Sequence, residues 1–536
     1  MSLEVKYIDV PEGAQEAAQA QSSVGQPFSV AADVLNEGKD IAWATLETRG
    51  WMLDGTRKIL KDSPRTEGWW SAERSGEDGT FTNPPVLEIS FSEAYTATGI
   101  TFSFWPSANH WCSKLQVHWY NAETLLAQAE VMPTTPDWIL QQTVSGFNRI
   151  RITILKTNIG GQFAKIQQIR IGQVIVFGKE ELVKVALLNE IDPSGFQMCV
   201  DTMEIQIRDR AGRNLAPQKN QRLELYQNGV QVAAQYVETA NREKNHHYSF
   251  SCYSAVGRLE DTFLGGMYTL TPVRELLDQV LESVPFVLDS AFNTEMITGY
   301  LPVTSRRQAL QQIAFAIGAA VSTQGDGTVR IFPLPQTISA AFDDESIFPG
   351  ATVKMTPTVA KVQVYAHSYV PIAEEETLLE DAAVETEQLF VFSEPHHAYS
   401  VSGGTLISSG VNWAIIAAGA AITLKAKKYA HTKAVYHRQN PLATAAEQGN
   451  VITVAEVTLV SAENAQRVLN RVFEIKQLRS TLQQNAVIDG QKAGIKVTSV
   501  NPWGTATEGY ITSMESELTQ NGHTAKVTIL GREVSR

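Results

Sequence analysis

The sequence predicts a mainly β, multi-domain protein that opens with a β-sandwich or jelly roll. Three observations carry that expectation. The chain has 536 residues, enough for roughly three or four domains. Its first third is patterned with a period of two. Helical patterning is confined to three short stretches further on. With 43% hydrophobic and 19% charged residues, the chain has the apolar content to build real cores.

The sandwich is read from alternation. Ile100, Phe102 and Phe104 alternate in one stretch, Leu115, Val117 and Trp119 in a second, and Ile150, Ile152 and Ile154 in a third. Such patterning buries one face of each strand. Strands are expected near 85–91, 97–104, 114–120, 125–131, 139–144, 147–155 and 164–176, with no helical pattern between them. If successive strands run antiparallel, the short turns 92–96, 121–124 and 145–146 share one end. The longer connections 73–84, 105–113, 132–138 and 156–163 then share the other, where binding residues usually collect.

The middle of the chain mixes strands and helices. Residues 181–265 read as strands. Thr271 as N-cap and Pro272 at the first helical position open a helix over 271–284. Ser305 and Gln308 form a capping box before a second helix that Gly318 can stop. A hairpin turning at Gly325-Asp326-Gly327 follows. The last third is mostly strand, with a third helix in 461–478 whose apolar stripe includes Val468, Leu469 and Val472. Its final two strands are expected to join through Asn521-Gly522.

Charge and cysteine content exclude several classes. Asp plus Glu number 57 against 44 Lys plus Arg, a formal charge of -13, which disfavours nucleic acid as the main partner. Three cysteines cannot form a disulfide framework, and no CxxC supplies a zinc ribbon. The first 21 residues are polar and lack the basic and apolar regions of a secretory signal. The longest apolar run, Trp413 to Leu424, is too short to span a bilayer and reads as a buried strand or hairpin.

Catalytic motifs are missing. GxSxG and HExxH do not occur. The stretch from Gly172 to Glu180 imitates a phosphate loop but has the wrong glycine spacing, and Glu180 stands where Ser or Thr is needed. The pairs His246-His247 and His396-His397 point to opposite faces if on strands, and His431 and His437 lie six residues apart. No metal site, cofactor or catalytic residue is assigned.

Tryptophan is the informative signal. Eight of the ten tryptophans precede residue 140. Trp119 is in phase with Leu115 and Val117 and is expected in the core. Trp105, Trp111 and Trp138 fall in or beside the longer connections. An indole face suits the C–H face of a sugar ring, and Asn109, His110 and Asp137 offer hydrogen bonds to its hydroxyls. These six residues are the candidate glycan site. The competing reading is that the loop tryptophans cap the sandwich core or contact protein.

Four segments resemble bacteriophage tail-tip or baseplate hub proteins: 187–212 (LLNEIDPSGFQMCVDTMEIQIRDRAG), 248–268 (YSFSCYSAVGRLEDTFLGGMY), 299–321 (GYLPVTSRRQALQQIAFAIGAAV) and 501–531. The stretches 44–60 (ATLETRGWMLDGTRKIL) and 68–81 (GWWSAERSGEDGTF) resemble the galactose-binding-like jelly roll of prophage hub proteins. The resemblance implies four domains: an N-terminal segment and jelly roll in 1–180, a first β-barrel-like hub module in 181–265, a small α/β domain in 266–345 and a second barrel-like module with the C-terminal strands in 346–536. It implies a structural, non-enzymatic homotrimer joining tail tube to tip or spike, with distal tail and tape-measure proteins as neighbours. It implies assembly in the bacterial host cytoplasm and residence in the virion tail. The alternative is a receptor-binding protein whose jelly roll recognises host cell-wall carbohydrate.

Overall fold

The computed structural model describes residues 2–535 other than 12, 27, 28, 37–44, 46, 48–67, 214, 216, 245, 418, 520 and 521. It is 56% strand and 11% helical, which makes the protein mainly β, as the period-two patterning predicts.

One sheet of 13 strands forms the frame. Its first seven strands, in spatial order, are Gln173–Phe177, Leu3–Asp9, Arg222–Gln227, Val230–Lys244, His247–Tyr253, Thr202–Arg208 and Leu182–Glu190, each antiparallel to the next. Alternation decides which face goes inside. In Thr202–Arg208, Met203, Ile205 and Ile207 are buried while Thr202, Glu204, Gln206 and Arg208 are exposed. The turn 178–181 joins the first strand to the seventh, and Tyr7, Phe177, Leu187, Leu225 and Phe250 share one core. The sheet therefore curls round one core, a barrel-like module left open at its seam, since among the described residues Gln173–Phe177 and Leu182–Glu190 share no ladder.

The same sheet runs on into a second module. The far edge of Leu182–Glu190 pairs with Thr505–Leu518, Ala186 opposite Glu517 and Glu190 opposite Ser513. His523–Ser535, Ser480–Val487 and Thr352–Met355 follow, and Lys496–Val500 pairs with the first half of Thr505–Leu518. Leu482, Val497, Ile511, Met514, Val527 and Ile529 fill this second core.

The sandwich is an insertion in that frame. Asp9 lies opposite Gln173 in the ladder, and the described residues between them build the sandwich. The strands Leu3–Asp9 and Gln173–Phe177, which the sequence reading groups with the jelly roll, hydrogen-bond within the barrel-like module. The expected turns at 92–96 and 145–146 are not turns. Val86–Ser103 and Asp137–Thr157 are continuous, pairing along their lengths with register shifts between Ser90 and Tyr95, Tyr95 and Ala97, and Ala97 and Gly99. These bulges bend both strands, and Gly146 supplies a φ of 73° at one bend. Leu87, Ile89, Phe102, Leu115, Phe147 and Ile152 form the enclosed core.

The α/β unit carries α2 (Val273–Leu281) and α3 (Arg306–Ile317); α1 is the short turn Ala14–Ala17 in the sandwich. Thr271 and Pro272 do not play the expected capping roles. Their strand, Gly266–Pro272, runs straight into α2, and Pro272 is itself the N-cap position. At α3 half of the expected box forms: Ser305 accepts from the Gln308 amide at 3.2 Å, but the Gln308 side chain bonds Thr304 instead. Gly318 ends α3 with a φ of 81°, as predicted.

A long hairpin, Lys361–Val384 with Gly419–Gln439, projects from the second module. Helix α4 (Ala465–Lys476) packs Val468, Leu469 and Val472 on Val362 and Val364 at its base. At its far end sits a three-stranded sheet of Gln388–Val391, Trp413–Ala417 and Thr405–Ser409. The apolar run from Trp413 thus splits between two sheets. No helix among the described residues is long and apolar enough to cross a membrane. The expected turn residue Asn521 lies outside the described residues, as does most of 44–60, including Trp51.

Candidate binding surface on the sandwich

The four longer connections meet at one end of the sandwich. The Thr157 amide donates to the Gly79 carbonyl, and the Ser75 amide to the Gln162 carbonyl, which joins 73–84 to 156–163. Asn158 ties 156–163 to 105–113: its side-chain oxygen accepts from the Trp111 amide at 3.1 Å and its nitrogen donates to the Asn109 carbonyl at 3.1 Å. The Trp111 indole N–H donates to the Pro133 carbonyl at 2.9 Å, which brings in 132–138. The clustering survives the two missing turns because each long strand bends at its bulges and returns to the same end.

The six candidate residues divide between interior and surface. Trp105 is fully buried and His110 is 1% exposed, so neither presents a face to solvent. Their backbones bond each other, with the Trp105 amide donating to the His110 carbonyl at 3.0 Å and the return bond at 3.1 Å. Asn109 and Asp137 are exposed, while Trp111 and Trp138 are half-buried. Asn109 follows the turn Pro106–Ala108 with a φ of 50°, a left-handed conformation that Asn tolerates. Asp137 accepts from the Ser103 hydroxyl at 2.6 Å.

Trp105 and His110 go inside because a buried cation organises them. The Lys165 ammonium is fully enclosed, 2.7 Å from the Glu47 carboxylate. It stands 4.7 Å from the Trp70 ring centre and 4.8 Å from that of Trp105. Glu47 also accepts from the Phe163 amide at 2.7 Å. Ring faces and carboxylate together replace lost water. Burial still pushes Lys165 down to about 8 against the opposing pull of Glu47. Burial, with the nearby Lys165 charge, pushes His110 down to about 3, so its ring is neutral.

What remains on the surface is a fixed, shallow patch. The Trp111 indole packs against the sandwich core, as does Trp138, and is pinned through its own N–H, with the exposed Asn109 tied to it through Asn158. A cleft of about 160 Å³ lies between Val24, Glu73, Phe81, Asn83 and Pro84 on the 73–84 side. Such a surface suits a ligand recognised by ring stacking and a few hydrogen bonds. The sequence reading missed Asn158, which clamps two of the candidate residues. It also missed Lys165, whose one signal is a lysine set between the apolar Ala164 and Ile166.

No protein-family model matches the chain, and no curated protein matches it. Among solved structures, its neighbours include phage and prophage tail proteins and, at partial coverage, a carbohydrate-binding module. The chain is similar to the tail protein from Neisseria meningitidis MC58 at 12% identity and a TM-score of 0.42, over 69% of this chain and 93% of that one. It is similar to the 43 kDa tail protein of prophage MuSo2 from Shewanella oneidensis at 11% identity and a TM-score of 0.40, over 67% and 96%. Over 32% of this chain and 99% of the other, it is similar to the family 32 carbohydrate-binding module of C. perfringens NanJ, solved with galactose, at 15% identity and a TM-score of 0.21.

Proposed function

We propose that this chain is a structural subunit of a phage tail, a hub component that joins tube to tip, with the sandwich as an accessory for glycan or protein contact. The observation that carries the reading is the shared strand. Leu182–Glu190 pairs with Thr202–Arg208 on one edge and Thr505–Leu518 on the other, so two modules from distant parts of the chain share one continuous sheet. A joint made of backbone hydrogen bonds holds the modules in a fixed relation, as a load-transmitting subunit requires. The outer face of that joint carries an open groove of about 800 Å³ lined by Ala186, Leu188, Phe348, Glu204, Glu515 and Lys526, a broad surface of mixed apolar and polar groups rather than an enclosed reaction site. In this reading the chain makes and breaks no bonds.

The four segments that resemble hub proteins support it by where they fall. Residues 187–212 and 501–531 supply the shared strand and its partners, and 248–268 and 299–321 supply the α/β unit and its approach. Mass spectrometry of purified tails, with the chain located by labelling, tests the proposal. Finding it at the tube–tip junction is the expected result. Tails whose junction is filled by another gene product would overturn it.

A second reading, host cell-wall glycan recognition, is favoured by the convergence of four connections around Trp111. Its test is titration of the full chain with host wall polysaccharide, compared with Trp111→Ala. Binding that weakens at least about tenfold in the variant supports it, since a stacked indole is the kind of anchor that dominates such sites. No binding by the folded wild-type chain removes it.

A further inference from the structure

Two free strand edges of opposite charge lie on the projecting hairpin. The strand Gly419–Gln439 pairs with Lys361–Val384 along one side, but along its other side His396–Ser402 reaches only as far as Lys428. From Tyr429 to Gln439, among the described residues, that second edge has no backbone partner. His431, Thr432, Lys433, Ala434 and Val435 are all exposed in succession, so the strand is open on its edge and on a face. The free edge itself carries Lys433 and Arg438 and no Asp or Glu. Arg438 lies 3.8 Å from Glu474, and Lys425 and Lys428, in the paired part of the strand, are engaged by Glu375 and by Glu374 and Glu376, which leaves Lys433 as the cation exposed on the edge.

The second edge belongs to Gln388–Val391, which among the described residues pairs only with Trp413–Ala417. It is flanked by Glu385, Glu387 and Glu394, and no Lys or Arg occurs from 385 to 394. Leu389 and Val391 on this edge are exposed, as is Val435 on the basic one. Each edge thus offers unpaired backbone groups, an apolar contact and one sign of charge.

We propose that the basic edge 429–439 of one copy adds, strand to strand, to the acidic edge 385–394 of the next copy of this chain. Like charges set opposite each other in a ladder repel, so neither edge suits its own counterpart. A lysine on a free edge blocks pairing with a basic strand and permits pairing with an acidic one. The contact is therefore head-to-tail, and a head-to-tail contact that closes makes a ring. Backbone hydrogen bonds supply the affinity, as in other strand additions, and the exposed valines and leucine seat against each other. This inference rests on the reading of the chain as a hub subunit of a tail and names the surfaces by which copies would meet.

The test uses the full chain and charge exchange, read by sedimentation over a concentration series. Lys433→Glu with His437→Glu is expected to raise the concentration needed for self-association at least about tenfold. Glu385→Lys with Glu387→Lys is expected to do the same. All four changes in one chain restore association to near the wild-type level, because the acidic and basic edges are then interchanged. That recovery also excludes misfolding as the cause of the losses. Double variants that associate like wild type, a fourfold variant that stays dissociated, or a wild-type chain that remains monomeric would each overturn the edge pairing. None of these results touches the hub reading, which stands or falls on the composition of tail particles.

Discussion

The sandwich and the long hairpin are both excursions from the same 13-stranded frame, and they are built on opposite plans. The sandwich closes around itself: Ile89, Ile100, Phe102, Phe104, Leu115 and Phe147 are completely buried. Its stem is two strands wide and locked at Asp9, whose carboxylate accepts from Thr98 of the sandwich at 2.6 Å and from Gln221 of the barrel-like module at 2.6 Å. Gly172 at the same joint has no room for a side chain, since a Cβ there would lie 2.0 Å from the Asp9 carbonyl oxygen. The hairpin encloses little. Its outer core is Val384, Ala414, Ile416, Ile422 and Leu424, while Val370, Leu389, Val391, Ile407 and Val435 face solvent. The first excursion is a self-sufficient unit. The second leaves apolar surface and strand edges for something else to cover.

The comparison breaks most sharply at the buried cation. Lys165→Met leaves Glu47 charged, buried and unpaired, and should cost the sandwich about 3–5 kcal/mol, read by denaturant unfolding followed through tryptophan fluorescence. Adding Glu47→Leu should recover most of that loss. A single variant as stable as wild type would mean that the pair is solvated and the sandwich less closed than described.

Acid should separate the two regions next. Burial pushes Asp201, beside the shared strand, up to about 6. Between about pH 4 and 6 its carboxyl holds a proton in the folded state that the unfolded chain has lost, so its contribution to frame stability falls by about 3 kcal/mol as pH rises through that window. His110 in the sandwich is pushed down to about 3. Between about pH 3 and 6.5 the unfolded chain holds the proton, so sandwich stability falls as pH falls. Unfolding at about pH 4 and about pH 6.5, with proteolysis to resolve the regions, should show these opposite responses. Asp201→Asn should flatten the first and His110→Phe the second.

A smaller effect is expected at the stem. Asp9→Asn places an amide where Thr98 and Gln221 both donate, and should cost about 2 kcal/mol. Because the damage falls at the joint, the sandwich and the frame should then unfold in more clearly separated steps. The smallest effect lies on the hairpin: Lys433→Glu should change monomer stability by no more than about 0.5 kcal/mol, since it alters exposed charge and no packing.

Much of this architecture was legible from alternation. The runs at 100–104, 115–119 and 150–154 became sandwich strands with the expected residues inside. Gly318 and the Gly325–Gly327 turn acted as read. Bulges hid continuity: Val86–Ser103 looked like two strands because register shifts interrupt the period where the strand bends. The strand Leu3–Asp9 was overlooked because Leu3, Val5 and Tyr7 alternate within a polar opening segment, and its partner Arg222–Gln227 lies more than two hundred residues away. At the candidate site, sequence located the connections but not the orientation of their side chains. Trp105 and Trp111 look alike in a loop. One turns inward because Lys165 and Trp70 form a box for it, and the other is held at the surface by Asn158 and Pro133.

The central claim is that this chain acts by joining subunits within a tail. Imaging of intact tails by electron cryomicroscopy, at a resolution that traces strands, tests it most directly. The account predicts copies of this chain in a closed ring between tube and tip, with the 13-stranded sheet continuous through both modules of each copy. A ring at that position built by another polypeptide, with this one absent from the particle, would contradict it.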